Sequence, residues 1–456
     1  MSRMETIADL SAATVGRRLL AGAIDPVTVL ESCLERIARD PHGPVFLELT
    51  GERARREAEA AARRYREGRP LGPLDGVPVA WKDLFDLAGS RTTAASAIYR
   101  DAPPKTRDAP VVANLAAAGM VSLGKVNLSE FAYSGLGLNP HFGTPRNPHG
   151  GSEPRAPGGS SSGSGVAVAA GLAPCSIGTD TGGSVRIPAA FNGIVGFKTT
   201  EGRIDKRDVF SLSSTLDTVG PLARSVEDCV LLDMALRGLT TSGVRRADLS
   251  SLRLVVPTNL VLEGVEDAVA ANMWAVLERL AAAGARVEQH RLDVLDEAQD
   301  VSLRHGSLIA VEAYLRHHAL IASPAAERID RRVMARLLGG GKMTAIDLLS
   351  IQQARERGIA ALSTALDGAL LVMPTTPHTA PLVAPLEADD EHFHAVNMKT
   401  LRNTALGNFL RTCGLALPSG RDAQGLPTSI LFSAPGGEDE RLLSYGLSIE
   451  QAIDVL

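Results

Sequence analysis

Apolar residues recur at helical spacing near the start of the chain. Within residues 10–38, Leu19-Leu20 and Val29-Leu30 follow this spacing, and Asp25-Pro26 separates two predicted helices because a capping residue before proline typically begins a helix. Residues 51–68 are rich in Arg, Glu and Ala, which predicts a third helix with a largely solvated face. We therefore expect residues 1–70 to form an N-terminal helical segment packed on the rest of the protein.

The pattern changes at about residue 71, where short apolar runs alternate with Ala-rich stretches and Gly-rich loops. Residues 108–119 predict a helix and residues 121–124 a strand. The alternation returns as a strand at 252–256, a helix at 267–283 and a strand at 285–289. This order indicates an α/β fold. We expect residues 71–456 to be one large catalytic domain that carries a variable helical segment, which sets substrate specificity, at about 295–365.

Composition narrows the class of protein. The 456 residues are 45% hydrophobic and 22% charged, as in ordinary globular proteins, and the net charge of −5 argues against a nucleic-acid partner. The four cysteines are far apart, so neither a zinc site nor a disulfide framework is expected. No signal-peptide pattern or membrane-spanning apolar run is present. A cytoplasmic protein with no membrane partner is the expectation.

Lys82 ends an apolar run, residues 77–81, that predicts a buried strand. A lysine is ordinarily a solvated surface residue. Burial at the end of a strand would instead favour the neutral amine, which can act as a general base. The adjacent Asp83 would oppose that change by stabilising the charged form.

Two Gly-rich segments contain serines that could take part in catalysis. Residues 178–186 read Gly-Thr-Asp-Thr-Gly-Gly-Ser-Val-Arg, so Ser184 could attack a carbonyl while the backbone amides of Thr181, Gly182, Gly183 and Ser184 bind the oxyanion. A glycine turn capped by serine is the simpler alternative. Residues 158–165 contain only Gly and Ser, which is typical of a linker, but they lead into an apolar stretch and so predict the start of a buried element.

The same segment matches the G-x-S-x-G pattern of α/β-hydrolases with Ser161 as nucleophile. That pattern requires a buried strand before it, whereas residues 149–157 read as a loop. The alternative also needs one of the ten histidines as base. A phosphate-binding P-loop is excluded because no Gly-Lys-Ser/Thr follows the glycines.

Taken together, these segments resemble the amidase signature family of serine hydrolases. Further similarity covers residues 124–131, 143–148, 188–198, 216–225 and 373–377. The resemblance implies a single domain with a central mixed β-sheet surrounded by helices. It also implies Ser184 as nucleophile, Ser160 as the bridging serine after a cis peptide bond with Gly159, and Lys82 as base. Asp180 and Arg186 match positions that brace the loop.

The resemblance further implies an acyl-enzyme on Ser184, with no metal and no organic cofactor. We expect small or aryl amides as substrates, with esters and carbamates (urethanes) as related candidates. By position, Tyr133, Ser134 and Asn139 are expected to border the substrate pocket. A homodimer is an expectation, since dimers are common in the family.

Some positions depart from the family's pattern, and two alternative functions remain open. Arg411, Cys413 and Thr428 replace typical residues, which makes substrate assignment from typical members unsafe. One alternative is the glutaminase subunit of a tRNA-dependent amidotransferase, which commonly carries Gln where this chain has Ile187. The other alternative is a catalytically silent binding protein on the same fold.

Overall fold

One mixed sheet of eleven strands runs through residues 7–453, the part of the chain that the computed structural model describes. The strands are β1 (Phe46–Leu49), β2 (Pro78–Lys82), β3 (Val121–Val126), β4 (Cys175–Asp180), β5 (Val195–Lys198), β6 (Thr218–Ala223), β7 (Arg253–Pro257), β8 (Arg286–His290), β9 (Leu370–Pro374), β10 (Cys413–Arg421) and β11 (Pro427–Ala434). Their order is β1-β3-β2-β4-β6-β5-β10-β11-β9-β7-β8. The predicted α/β fold with a central mixed sheet is confirmed.

Helices cover the sheet. They are α1 (Ala12–Leu20), α2 (Pro26–Ala38), α3 (Gly51–Arg66), α4 (Pro110–Ala117), α5 (Ser162–Ala169), α6 (Arg186–Asn192), α7 (Val226–Leu236), α8 (Asp267–Ala282), α9 (Asp293–His305), α10 (Leu308–Ile321), α11 (Arg331–Gly340), α12 (Ala345–Leu366), α13 (Val383–Ala388), α14 (Asp390–Phe409) and α15 (Asp439–Ile453). No helix among the described residues is both long enough and apolar enough to cross a membrane.

The N-terminal helices form where the sequence predicts them. The Asp25 carboxylate accepts hydrogen bonds from the first amides of α2, which is the expected cap. Leu10 and Val29 pack in the same hydrophobic cluster as Trp81 of β2. Helix α3 is less solvated than predicted, because four of its five alanines are buried against the core. The segment also supplies an edge strand, β1, which the periodicity does not predict.

Two neighbouring parallel strands bring the predicted catalytic segments together. β2 runs parallel to β4, and their carboxyl ends therefore lie at the same edge of the sheet. Lys82 is the last residue of β2, and Asp180 is the last residue of β4. Helix α5 begins at Ser162, two positions after Ser160, and its first turns are buried. The Gly/Ser-rich segment is therefore the start of a buried helix, as predicted, and not a linker.

One helix from the predicted variable region lies beside this edge. The segment 295–365 lies within α9 to α12. A methyl group built on Gly182 would lie 3.5 Å from Ile309 of α10 and 3.6 Å from Leu401 of α14. Two helices distant in sequence therefore provide apolar side chains beside the loop that carries Ser184.

Candidate active site

Lys82 is fully buried and its amine has two hydroxyl partners. Its Nζ lies 2.7 Å from Ser160 Oγ and 2.9 Å from Thr179 Oγ1. Burial lowers the pKa of Lys82 from 10.5 to about 7, because the charged ammonium loses its hydration. The amine is therefore neutral for about half of the molecules near pH 7. A neutral amine can accept a proton, as a general base must.

The carboxylates that raise the pKa of Lys82 differ from Asp83, the residue that the sequence suggests. Asp217 and Asp180 raise the pKa of Lys82, in opposition to burial. Asp83 instead forms a buried ion pair with Lys125, with Nζ and Oδ1 2.7 Å apart. It also accepts hydrogen bonds from the amide and hydroxyl of Thr93. The expectation that Asp83 opposes a neutral Lys82 is therefore wrong, since Lys125 compensates its charge.

Ser160 follows a cis peptide bond with Gly159, as the resemblance implies. Its carbonyl accepts hydrogen bonds from the amides of Ser129 at 3.1 Å and Ser162 at 2.9 Å. A methyl group on Gly159 would lie 2.6 Å from the Gly137 amide nitrogen, a distance that real contacts do not reach. The segment is thus packed closely against residues 134–137, and only glycine fits before Ser160.

Ser184 lies in a loop that Asp180 organises. The Asp180 carboxylate accepts hydrogen bonds from the amides of Gly183 (2.9 Å) and Val185 (3.1 Å) and from the Arg186 guanidinium. The positive charge of Arg186 holds the pKa of Asp180 well below its usual range, despite complete burial. Ser184 itself is only 4% exposed. Asp180 and Arg186 brace the loop, which is the role that the resemblance implies.

Gly183 departs from its predicted role as an oxyanion donor. Its amide already donates to Asp180 Oδ1 and is not available to a substrate. Within residues 7–453, the amides of Thr181, Gly182 and Ser184 donate to no other group. Three of the four predicted donors therefore remain, and Gly183 is corrected to a bracing position.

The three predicted pocket residues have different surroundings. Tyr133 is buried, with the Arg336 guanidinium 4.1 Å above its ring. The Ser134 hydroxyl donates to Asn397 Oδ1 at 3.2 Å. Asn139 donates to the carbonyls of Ala95 and Leu128 and accepts from two backbone amides, so its amide group is fully engaged. Asn139 therefore braces its loop, and its place at the border of the substrate pocket stays a prediction.

Several residues at this site are not apparent from the motifs. Thr179 contacts Lys82, and Asp217 accepts a hydrogen bond from Thr181 Oγ1 at 2.6 Å. Thr404 and Asn408 of α14 bond to the loop that carries Ser184. Thr179 lies within the 178–186 motif and could have been proposed from that position. The α14 residues are more than two hundred positions away, and no local pattern connects them to the loop.

Ser161, the alternative nucleophile, makes a different contact. Its hydroxyl donates to the carbonyl of Thr179 at 3.4 Å. No histidine in the described part of the chain bonds to this hydroxyl. A loop rather than a strand precedes the segment, so the geometry of a nucleophile elbow is absent from residues 149–161.

Known proteins resemble this chain along nearly its whole length. The Amidase family matches residues 28–443. The chain is 37% identical to 2-amino-5-chloromuconic acid deaminase of Comamonas testosteroni, over 98% of this chain and 96% of that protein. It is 33% identical to one of the subunits of the glutamyl-tRNA(Gln) amidotransferase of Azotobacter vinelandii, over 98% of each. The crystal structure of an amidase superposes with a TM-score of 0.86 at 32% identity, covering 97% of this chain and 100% of that one.

The fold, the site and these similarities define an α/β enzyme that hydrolyses amide C–N bonds. The chain belongs to the Amidase family, and the resemblance of its motifs to the amidase signature is confirmed. The α/β-hydrolase alternative is therefore wrong.

Proposed function

We propose that the protein hydrolyses amides through an acyl-enzyme on Ser184, with Ser160 and Lys82 as a proton relay. The 2.7 Å separation of Lys82 Nζ from Ser160 Oγ is the observation that carries this proposal. The lowered pKa of Lys82 supports it, since only a neutral amine can take the proton.

In the proposed cycle, Ser184 Oγ attacks the amide carbon while its proton passes to Ser160, whose own proton passes to Lys82. The amides of Thr181, Gly182 and Ser184 donate to the oxyanion of the tetrahedral intermediate. The C–N bond then breaks, and Ser160 returns a proton to the departing nitrogen as Lys82 reprotonates Ser160. Water hydrolyses the acyl-enzyme by the same relay, which restores Ser184 and releases the acid.

Apolar side chains beside the loop that carries Ser184, and a cation beside Tyr133, support a substrate class. Ile309 and Leu401 face Gly182 and favour an apolar group beside the reacting carbonyl. Arg336 contacts Tyr133 and has no carboxylate partner within residues 7–453, so it is a cation available to an anionic substituent. We propose small or aryl amides as substrates, including amides that also carry a carboxylate, since the name of the deaminase relative contains an acid. Esters and carbamates are secondary candidates.

The test is release of the leaving group from a panel of anilides, primary amides, carbamates and esters, each offered with and without a carboxylate: an amine or ammonia from the first three classes and an alcohol from the esters. Wild type is compared with Ser184→Ala, Ser160→Ala and Lys82→Ala. Ser161→Ala is the matched control, because it removes a buried hydroxyl from the same segment. Loss of turnover in the first three variants and retention in the fourth is expected. Full activity in Ser184→Ala would refute the proposal.

The glutaminase component of an amidotransferase is the second candidate, favoured by similarity across the whole chain. Ile187, where that protein commonly carries Gln, packs in an apolar cluster with Phe191 and Leu401. Glutamine hydrolysis that requires added partner chains would favour this candidate over independent hydrolysis.

We also propose a cytoplasmic location, which the four free, buried cysteines support.

A further inference from the structure

The peptide group between Gly182 and Gly183 is held at both ends. Its carbonyl oxygen accepts a hydrogen bond from Thr404 Oγ1 at 2.7 Å. Its amide donates to Asp180 Oδ1 at 2.9 Å. The C=O and N–H of a trans peptide point in opposite directions within one plane, so these two bonds fix the orientation of that plane.

Thr404 is placed specifically for this contact. It is buried in α14, and its hydroxyl is closer to the Gly182 carbonyl than to its own helix carbonyl at Leu401, which is 3.1 Å away. The backbone of Gly183 has φ +133°, a conformation that favours glycine. A methyl group built there would lie 2.2 Å from Thr404 Oγ1. The hydroxyl therefore occupies the space that Gly183 leaves.

Residues on the neighbouring turns of α14 also contact the loop that carries Ser184 and the carboxylate that holds it. Asn408, four residues after Thr404, donates to Asp180 Oδ1 at 2.9 Å and accepts from Arg186. Leu401, three residues before Thr404, faces Gly182. Residues at this spacing share one face of a helix. One face of α14 thus contacts both the carboxylate that holds the loop and the loop itself.

We propose that Thr404 is a positioning residue of the oxyanion site. Thr404 and Asp180 fix the peptide group between Gly182 and Gly183. The backbone amides on its two sides, which have no partner within the described residues, are the principal oxyanion donors: those of Gly182 and Ser184. The proposal rests on Ser184 acting as the nucleophile. Thr404 touches no substrate atom and acts through the orientation of the peptide group.

The test compares Thr404→Val, which keeps the shape but removes the donor, with Thr404→Ser, which keeps the donor. Thr404→Ala is a second donor-free variant if the branched side chain impairs folding beside Gly183. Thr400→Val is the control, since Thr400 is a buried threonine one turn earlier whose hydroxyl contacts the Val396 carbonyl and His378 but not the loop that carries Ser184. Circular dichroism and thermal unfolding establish that each variant is folded.

Removing one direct oxyanion donor typically lowers kcat by about 10²–10³-fold, so loss of a positioning contact should lower it by at least about tenfold. We expect this loss in Thr404→Val and Thr404→Ala, with KM nearly unchanged, and recovery to within about threefold in Thr404→Ser. An arylboronic acid, which forms a tetrahedral adduct on a serine, should bind the donor-free variants more weakly by a factor similar to the loss of kcat/KM. Binding of the carboxylic acid product should stay the same.

Wild-type kcat in Thr404→Val or Thr404→Ala would overturn the inference, and so would an equal loss in Thr404→Ser. Unchanged boronic acid affinity despite a lower kcat would also overturn it, since the tetrahedral state would then not depend on Thr404. Full activity in Ser184→Ala would instead refute the proposed nucleophile. The two failures are therefore distinguishable.

Discussion

The acidic limb of the pH–rate profile should report the ionisation of Lys82. Burial lowers the pKa of this lysine from 10.5 to about 7, and Asp217 and Asp180 limit the decrease. The neutral fraction at pH 7 then rises from about 3 in 10,000 to about one half, a gain on the order of a thousandfold. A rate that requires the neutral amine should increase about 50-fold between pH 5 and pH 7 and approach a plateau near pH 8.

The assay is kcat/KM for one chromogenic amide from pH 5 to pH 9, because this ratio reports ionisations of the free enzyme. Circular dichroism at each pH identifies the range in which the protein remains folded. Lys82→Arg is the control, since an arginine stays protonated throughout and should give low activity without the acidic limb. A profile that is flat from pH 5 to pH 8, or one that first rises near pH 10, would contradict a neutral Lys82 as base.

Three further predictions concern stability and the loop. Arg186→Met should lower the free energy of unfolding, measured by urea titration, by about 3–5 kcal/mol, because it leaves Asp180 as a buried charge without its main partner. Arg17→Met, which breaks an exposed ion pair, is the control and should change the free energy of unfolding by less than about 1 kcal/mol. Gly183→Ala should abolish turnover and destabilise the fold by about 2 kcal/mol or more, because its methyl group would overlap Thr404; normal kcat would contradict the described loop. Lys82→Met should raise Tm, and by most at or below pH 7, where the folded protein must bury a charged amine. The folded pKa of about 7 lies below the unfolded 10.5, so wild-type stability rises with pH between these values and the difference should shrink by pH 10.

Much of the fold is encoded in local patterns. Helices α1 and α2 and strand β2 begin and end close to where periodicity and capping residues predict them. Strand β1 is not predicted because residues 46–49 are only partly buried at the edge of the sheet, and their alternation is too short to distinguish from a loop. Its pairing with β3 is a long-range contact that no local signal specifies.

Sequence motifs predict the site residues that they contain, but they do not predict the contacts that distant segments make with those residues. Lys82, Ser160 and Ser184 each stand in a recognisable sequence context. The predicted role of Gly183 is wrong because position within a motif does not reveal which acceptor a backbone amide finds. The predicted effect of Asp83 is wrong because sequence adjacency does not show that Lys125 neutralises it. Hydrogen-bond partners depend on tertiary contacts, which one sequence does not display.

The burial of the site explains why the loop that carries Ser184 is supported by α14, a helix distant in sequence. Burial lowers the pKa of Lys82 because it removes the hydration of the ammonium, and the same burial leaves few solvent molecules to satisfy the backbone amides of the loop. Asp180 accepts hydrogen bonds from two of these amides, its charge is balanced by Arg186, and the Asn408 amide donates a further hydrogen bond to it. The amides of Gly182 and Ser184 stay unpartnered within the described residues. Supports from α14 can thus hold the loop without using the donors that the oxyanion requires, so mutations of Thr404 and Asn408 should affect kcat before they affect substrate binding.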